Sequence, residues 1–239
     1  MYGFAETQFR DSYYCSTMNV FDSFKALKGA MPKNLQERIT PSEAIELLKL
    51  GAIRASSQSV LQRDPLALRS DAGQGQFPFA AVLSCIDSRV PVEQIFDAAS
   101  GDLFVARVAG NVAATSIVAS LEFATELAGA KAILVLGHTR CGAISGACAT
   151  LDNPNAVPGL LPELLSKIHP SVEVAQSLYG PEPTEDMLRA CSIDNVKHTC
   201  RSLAKQSTVL SSRIKLGELL IVGALFDVST GEVKWIESE

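Results

Sequence analysis

The sequence predicts an α/β fold, with a mainly parallel central sheet flanked by helices, an antiparallel C-terminal edge strand and an N-terminal helical arm. Three observations carry that expectation. Four continuous apolar runs, 79–85, 103–108, 131–136 and 218–227, have strand character. Helical patterns fall between them, and strands alternating with helices build a parallel sheet covered on both faces. The final stretch, "FDVSTGEVKWI", sets Thr230-Gly231 between two β-rich runs, the pattern of a hairpin that adds an antiparallel edge.

The elements follow in chain order. Residues 1–39 are expected to form an arm that packs on its own chain or on a partner subunit. The first 24 residues hold seven of the fifteen aromatics, and such residues need a surface. The stretch does not read as a targeting segment. It has Arg10 against Glu6, Asp11 and Asp22, and no continuous apolar core. A helix starts at Thr40-Pro41-Ser42-Glu43, where Thr caps, Pro suits the first turn and Glu43 closes a capping box. Ile45, Leu47 and Leu48 form its apolar face, and Gly51 is expected to stop it. Residues 115–128 repeat Ile117, Val118, Leu121 and Ala124 on one face. Residues 194–216 do the same with Val196, Cys200, Leu203, Ser207, Leu210 and Ile214, at alternating steps of four and three. The Pro-rich stretch 154–183 is expected to be a long connection with one helix.

Composition narrows the function. With 239 residues the chain suits one domain with a full core. A net charge of −5 gives no electrostatic reason to bind nucleic acid, and no apolar run is long enough to span a membrane. The six cysteines show no short-spaced framework, so a reducing compartment, the cytoplasm, is expected.

The chemistry sits where two apolar runs stop. "AVLSCIDSRVP" (81–91) ends its run at Cys85, followed by Asp87, Ser88 and Arg89. "AILVLGHTRCGAI" (132–144) ends in His138 and Cys141. Ligands of open α/β sheets bind beyond the carboxyl ends of the strands, so both segments deliver their side chains to one edge. Two thiolates and an imidazole make a good zinc set, and three protein ligands leave the fourth position open, as a catalytic site requires. Cys148 lies roughly 10 Å further along the expected helix and is a poor fourth ligand. Cys15, His169, Cys191, His198 and Cys200 have no strand end to present them and are expected in core or surface roles.

C-x-D-S-R and G-H-x-x-C-G, each closing a buried strand, resemble the β-class carbonic anhydrases, in particular their plant-like subgroup. The resemblance runs from about Gly75 to the C-terminus and includes "GDLFVARVAGN" (101–111), "SLEFA" (120–124) and "GALFDVSTGEV" (223–233). It implies a catalytic domain over residues 40–239 that hydrates carbon dioxide reversibly to bicarbonate and a proton. The alternatives it leaves are hydrolysis of carbonyl sulfide or carbon disulfide on the same fold, and a non-catalytic zinc- or bicarbonate-binding protein. It implies zinc on Cys85, His138 and Cys141, and a catalytic dyad of Asp87 and Arg89. Arg can hold a carboxylate through two parallel bonds, and a held Asp87 can accept the hydrogen bond of a zinc-bound hydroxide and aim its lone pair at the substrate. The resemblance further implies that Gln76 and Gly142 contact substrate. Phe104 and Phe123 are implied to line the pocket of a neighbouring subunit, in a homodimer or higher even oligomer. Two departures are visible. "GAIRA" (51–55) stands where the family often has G-N-x-R-F, and "RVAGN" (107–111) replaces the commoner R-N-A-G-N.

Overall fold

The structure, a computed structural model, describes residues 18–153 and 156–237. The aromatics from Tyr2 to Tyr14, and Cys15, lie outside the described residues. The chain within them begins with two short helices, α1 (Val20–Ala26) and α2 (Lys33–Arg38). Val20 and Phe24 of α1, Met31 between the helices, Leu35 of α2 and Ile39 are buried in one apolar cluster with Phe79, Ala80 and Val82. This part of the N-terminal region therefore lies on the chain's own core. Gln36 ties it down, donating through Nε2 to the carbonyls of Pro78 (2.7 Å) and Ala128 (2.8 Å).

Helix α3 (Pro41–Ser56) opens with the capping box of Thr40 and Glu43. It runs past Gly51 by five residues. Gly51 is a close-packing position: a Cβ there would lie 2.0 Å from the carbonyl oxygen of Phe96. The expectation that Gly51 ends the helix mistook a contact glycine for a cap. After α4 (Pro65–Ala72) comes β1 (Ala80–Ser84), then the single turn α5 (Val92–Ile95) and β2 (Leu103–Arg107). The expected helix over 115–128 is α6 (Thr115–Glu122) passing into a π turn at Phe123–Leu127. Then follow β3 (Ala132–His138) and α7 (Gly142–Thr150).

The described part of 154–183 contains two helices, α8 (Leu161–Ser166) and α9 (His169–Tyr179), where one was expected. The expected helix 194–216 is also corrected. α10 (Glu185–Gln206) starts earlier, at a Thr184 cap, and ends at Ser207. Ser207 leaves helical geometry (φ −113°, ψ 116°) and caps α11 (Thr208–Lys215) through its hydroxyl. The apolar repeat continues across the break because both helices cover the same sheet face, so periodicity alone could not reveal it. The chain closes with β4 (Leu220–Phe226) and β5 (Val233–Ile236).

The strand order is β2-β1-β3-β4-β5, parallel except for the last pair. The turn before β5 is longer than two residues. Asp227 Oδ1 accepts from the N–H groups of Ser229 and Thr230, and Gly231 takes a positive φ of 77°. β1 and β3 are fully buried, which explains their unbroken apolar runs. β1 connects to β2 on one side while β3 lies on the other, so the order reverses at the β1–β3 pair. Such a switch point opens a crevice at the strands' carboxyl ends. Among the described residues no helix is long and apolar enough to cross a membrane.

Candidate metal centre

The register of β1 and β3 pairs Ser84 with Leu136, so both strands stop at nearly the same height. Cys85 is the first residue beyond β1, His138 is the last of β3, and Cys141 is the N-cap of α7. All three are buried, and their ligand atoms lie within 4.8 Å of one another. Cys85 Sγ and Cys141 Sγ are 4.0 Å apart. Two sulfurs each about 2.3 Å from one tetrahedral zinc ion would stand roughly 3.8 Å apart, so the pair needs almost no adjustment to share one.

The histidine is poised in the same sense. Its Nδ1 lies 2.9 Å from the backbone carbonyl of Thr139, which can only accept, so Nδ1 carries the proton. Nε2 then presents a lone pair, is buried, and has no hydrogen-bond partner. A buried acceptor with no donor is costly unless something else meets it, and a cation held with the two sulfurs would do so. The S, S, N donor set is the kind that selects zinc.

Contact between the two thiols moves their pKa values in opposite directions. Contact with Cys141 lowers the pKa of Cys85, opposed by burial and helped by the Gly110 N–H. Cys141 is pushed up in return. At its own position the backbone N–H groups of Ala143 and Ile144, in the first turn of α7, favour the thiolate.

Asp87 and Arg89 stand at the rim. Arg89 Nε donates to Asp87 Oδ1 (2.9 Å) and its Nη2 to Oδ2 (2.8 Å), the two-pronged grip the spacing suggested. The Arg89 backbone N–H adds a third bond to Oδ1. These bonds hold the Asp87 carboxyl well below the usual carboxylate range. Oδ2 lies 3.9 Å from His138 Nε2, so the ionised carboxylate faces the cluster. Arg89 is anchored in turn, with Nη2 donating to the Arg140 carbonyl (3.1 Å).

The other expected residues divide. Gly142 begins α7 beside Cys141, and a Cβ there would meet nothing within 4 Å. Helix packing therefore does not require glycine, and the face beside the cluster is open. Gln76 and Phe104 are not brought to the metal ligands of their own chain. Gln76 is exposed and precedes the amino end of β1, whereas Cys85 follows its carboxyl end. Phe104 pairs with Ala81, four residues before Cys85, or about 13 Å along the strand. Phe123 is 51% exposed and packs edge-to-face on Phe104, with ring centroids 6.4 Å apart. Together they wall an open cavity of about 460 Å³ beside the edge strand β2.

Three supporting residues were missed. Arg107, at the end of β2, donates to the carbonyls of Cys85 (2.9 Å) and Asp87 (2.6 Å) and so fixes the loop that carries ligand and carboxylate. Gly110 donates its N–H to Cys85 Sγ (3.4 Å) from a tight turn with φ +70°, where a Cβ would strike Ile168 at 2.6 Å. Asn195 on α10 donates Nδ2 to the Gly110 carbonyl (2.8 Å) and holds that turn from behind. Arg107 and Gly110 both lie in "RVAGN", so a signal for them existed. Asn195 is 85 residues away from its partner and had none.

A family model described as "Carbonic anhydrase" matches residues 80–233, which hold all three candidate ligands and the carboxylate–arginine pair. The chain belongs to the β-carbonic anhydrase family. "Carbonic anhydrase 2" of Mycobacterium tuberculosis is 33% identical over 189 residues, covering 79% of this chain and 86% of that protein. Among solved structures, a β-carbonic anhydrase of Aspergillus fumigatus superposes with a TM-score of 0.65 at 23% identity, over 83% of this chain and 91% of that one. A tetrameric β-carbonic anhydrase of Sordaria macrospora gives 0.65 at 21%, over 82% and 95%. These two likenesses concern the fold, and they agree with the five-stranded, mostly parallel sheet of this β-carbonic anhydrase. Its cofactor is zinc.

Proposed function

We propose that this chain hydrates carbon dioxide reversibly to bicarbonate and a proton, with Cys85, His138 and Cys141 as zinc ligands and Asp87, gripped by Arg89, as the catalytic carboxylate. One observation carries this assignment: the unpartnered Nε2 of His138 shares a buried pocket with two thiols while an ionised carboxylate faces it from 3.9 Å. Zinc supplies there a Lewis acid that makes a water-derived nucleophile available near neutral pH. Asp87, being ionised, can only accept. It takes a hydrogen bond from the nucleophile's O–H and so turns the oxygen lone pair toward the substrate carbon. Arg89 keeps the carboxylate at the rim, since a released Asp87 could swing onto the ligand cluster and close it. The open face at Gly142 gives the substrate room to approach its backbone N–H.

The apolar wall comes from a second copy in this reading. Gln76, Phe104 and Phe123 lie near the amino ends of β1 and β2 or beside β2, away from their own ligands, so they serve carbon dioxide bound in a partner's site within a homodimer or higher even oligomer. Gln76 and the phenylalanine pair also support placement in the plant-like subgroup. Residues 40–239 form the catalytic domain and residues 1–39 the arm. The five cysteines among the described residues form no disulfide, which supports a cytoplasmic setting.

The test is metal analysis followed by stopped-flow hydration of carbon dioxide. The wild-type chain is expected to carry about one zinc ion and to turn over, and Cys141→Ala to lose both. Zinc without hydration activity, or activity confined to carbonyl sulfide or carbon disulfide, overturns the assignment of the reaction. Full zinc occupancy in Cys141→Ala overturns the ligand set.

A further inference from the structure

The turn within the C-terminal motif "GALFDVSTGEV" (223–233) reaches the metal site through one residue, Thr139. Thr139 follows the ligand His138, and both its backbone and its hydroxyl are tied to that turn. Its N–H donates to the Phe226 carbonyl (2.9 Å), and its Oγ1 accepts from the Val228 N–H (3.1 Å). The turn is braced in itself. The Asp227 N–H donates to the Glu232 carbonyl (2.9 Å), and the Gly231 N–H donates to the Asp227 carbonyl (2.8 Å). On the side of the site, consecutive carbonyls of this segment take one bond each. The Thr139 carbonyl accepts from His138 Nδ1 (2.9 Å), and the Arg140 carbonyl accepts from Arg89 Nη2 (3.1 Å). Arg140 holds φ +56°, a left-handed conformation that a non-glycine residue keeps when its surroundings impose it. Its own side chain imposes little, because its ion pair with Glu185 is 3.6 Å long and exposed.

We infer that Thr139 is a positioning residue for both parts of the site. Its hydroxyl anchors the Thr139–Arg140 segment to the C-terminal turn, and the two carbonyls of that segment aim the His138 ring and hold the Arg89 guanidinium on Asp87. The inference rests on the proposed ligand set and carboxylate–arginine pair. A threonine suits the task because its branched side chain is stiff at χ1, so the hydroxyl keeps one direction. Without the hydroxyl both carbonyls remain, but the segment that carries them loses one of its two ties to the turn. Ring and guanidinium then loosen together. Metal affinity and turnover number are thereby linked through one side chain, while substrate affinity is not.

The experiment compares wild type with Thr139→Val, which keeps the branched shape and loses the hydroxyl, and with Thr139→Ser, which keeps the hydroxyl. Competition with a chelator reads zinc affinity, and stopped-flow hydration of carbon dioxide reads kcat and KM. Thr139→Val is expected to bind zinc about tenfold more weakly. Fully loaded with zinc, it should lose about tenfold in kcat with KM within about twofold of wild type. Thr139→Ser should restore both. Zinc affinity and kcat within about twofold of wild type in Thr139→Val, a loss in only one of them, a loss carried by KM, or a serine variant as impaired as the valine one would each overturn the inference. If the wild type binds zinc without hydrating carbon dioxide, the proposed reaction fails instead. The NMR signal of the Arg89 Nε–H then replaces kcat: Thr139→Val should shift it and speed its exchange with water, and an unchanged signal overturns the inference. Should Thr139→Val not fold, hydrogen exchange in the wild type decides: the Val228 amide is expected to be protected, and rapid exchange would refute the tether.

Discussion

Asn195→Ala tests whether the metal centre is held from behind by α10. Asn195 is 1% exposed, and its Nδ2 donates to the Gly110 carbonyl at 2.8 Å. Its Oδ1 is buried without a partner. Truncation therefore removes one orphan acceptor and creates another, the Gly110 carbonyl, so the two desolvation terms roughly cancel. What remains is the lost hydrogen bond and the small cavity left by an amide group, about 1–2 kcal/mol. For a chain of this size that is a drop of about 2–8 °C in Tm. The Gly110 N–H also donates to Cys85 Sγ, so a loosened turn should weaken zinc binding roughly tenfold, the low end of what outer supporting groups contribute. Thermal scans measure the first effect and equilibrium competition with a chelator the second; the exposed Asn34→Ala on α2 serves as control. A destabilised Asn195→Ala protein whose zinc affinity stays within about twofold of wild type would refute the coupling, because the turn would then hold itself.

Asp87→Ala is expected to keep zinc and lose most hydration activity, read by metal analysis and stopped flow; near-wild-type turnover removes the carboxylate from the mechanism. Arg89→Ala should retain zinc and lose activity as well, and activity equal to wild type would show that Asp87 needs no grip. The buried Asp102 is raised to about 6 by burial and only partly offset by Arg63, so its folded value lies above its unfolded one. Its stabilising share is then complete below about pH 4 and lost as pH rises through about 6. Relative to Asp102→Asn, the wild type should lose roughly 2–3 kcal/mol of unfolding free energy between those limits, measured by denaturant titration at several pH values; parallel curves would refute it. Mixing inactive Cys141→Ala chains with Phe104→Ala/Phe123→Ala chains should restore one intact site per heterodimer if sites are shared. Heterodimers no more active than the parental average would place each wall with its own zinc.

The convergence of Cys85, His138 and Cys141 was legible in the sequence because the parts of the cluster are local. Cys85 and Asp87–Arg89 share one strand end, His138 and Cys141 another, and parallel strands end on the same side of a sheet. The long apolar runs of β1 and β3 announced their own burial. Two helix boundaries were misjudged for physical reasons. Gly51 serves the close approach of α3 to Phe96, and nothing in a sequence separates such a glycine from a helix stop. Ser207 breaks a helix whose apolar repeat continues, and a serine is compatible with both a helix interior and a cap. The supports of the centre were hidden more deeply. Asn195 contributes one hydrogen bond to a turn 85 residues earlier, and only the packed fold brings them together.

In the proposed assembly the two ends of the sheet carry different halves of one reaction. At the carboxyl ends, between β1 and β3, lie the sulfur and nitrogen ligands, the carboxylate and the first turn of α7, all polar and fixed by backbone bonds. Before the amino end of β1 lies the exposed Gln76, and along β2 lie Phe104 and Phe123, half-buried and exposed, beside an open cavity. An edge strand with an apolar cavity beside it is a surface that seeks a partner. Carbon dioxide has no net charge to grip, so it needs an apolar wall close to the nucleophile, and about 13 Å of strand separates the wall from the ligands within one chain. Moving either half by mutation would disturb the buried register of β1, where a one-residue slip turns every side chain to the other face. Pairing two chains brings the halves together without altering the sheet. In the proposed assembly the dimer is therefore a condition of catalysis, and dissociation by dilution should lower activity per zinc.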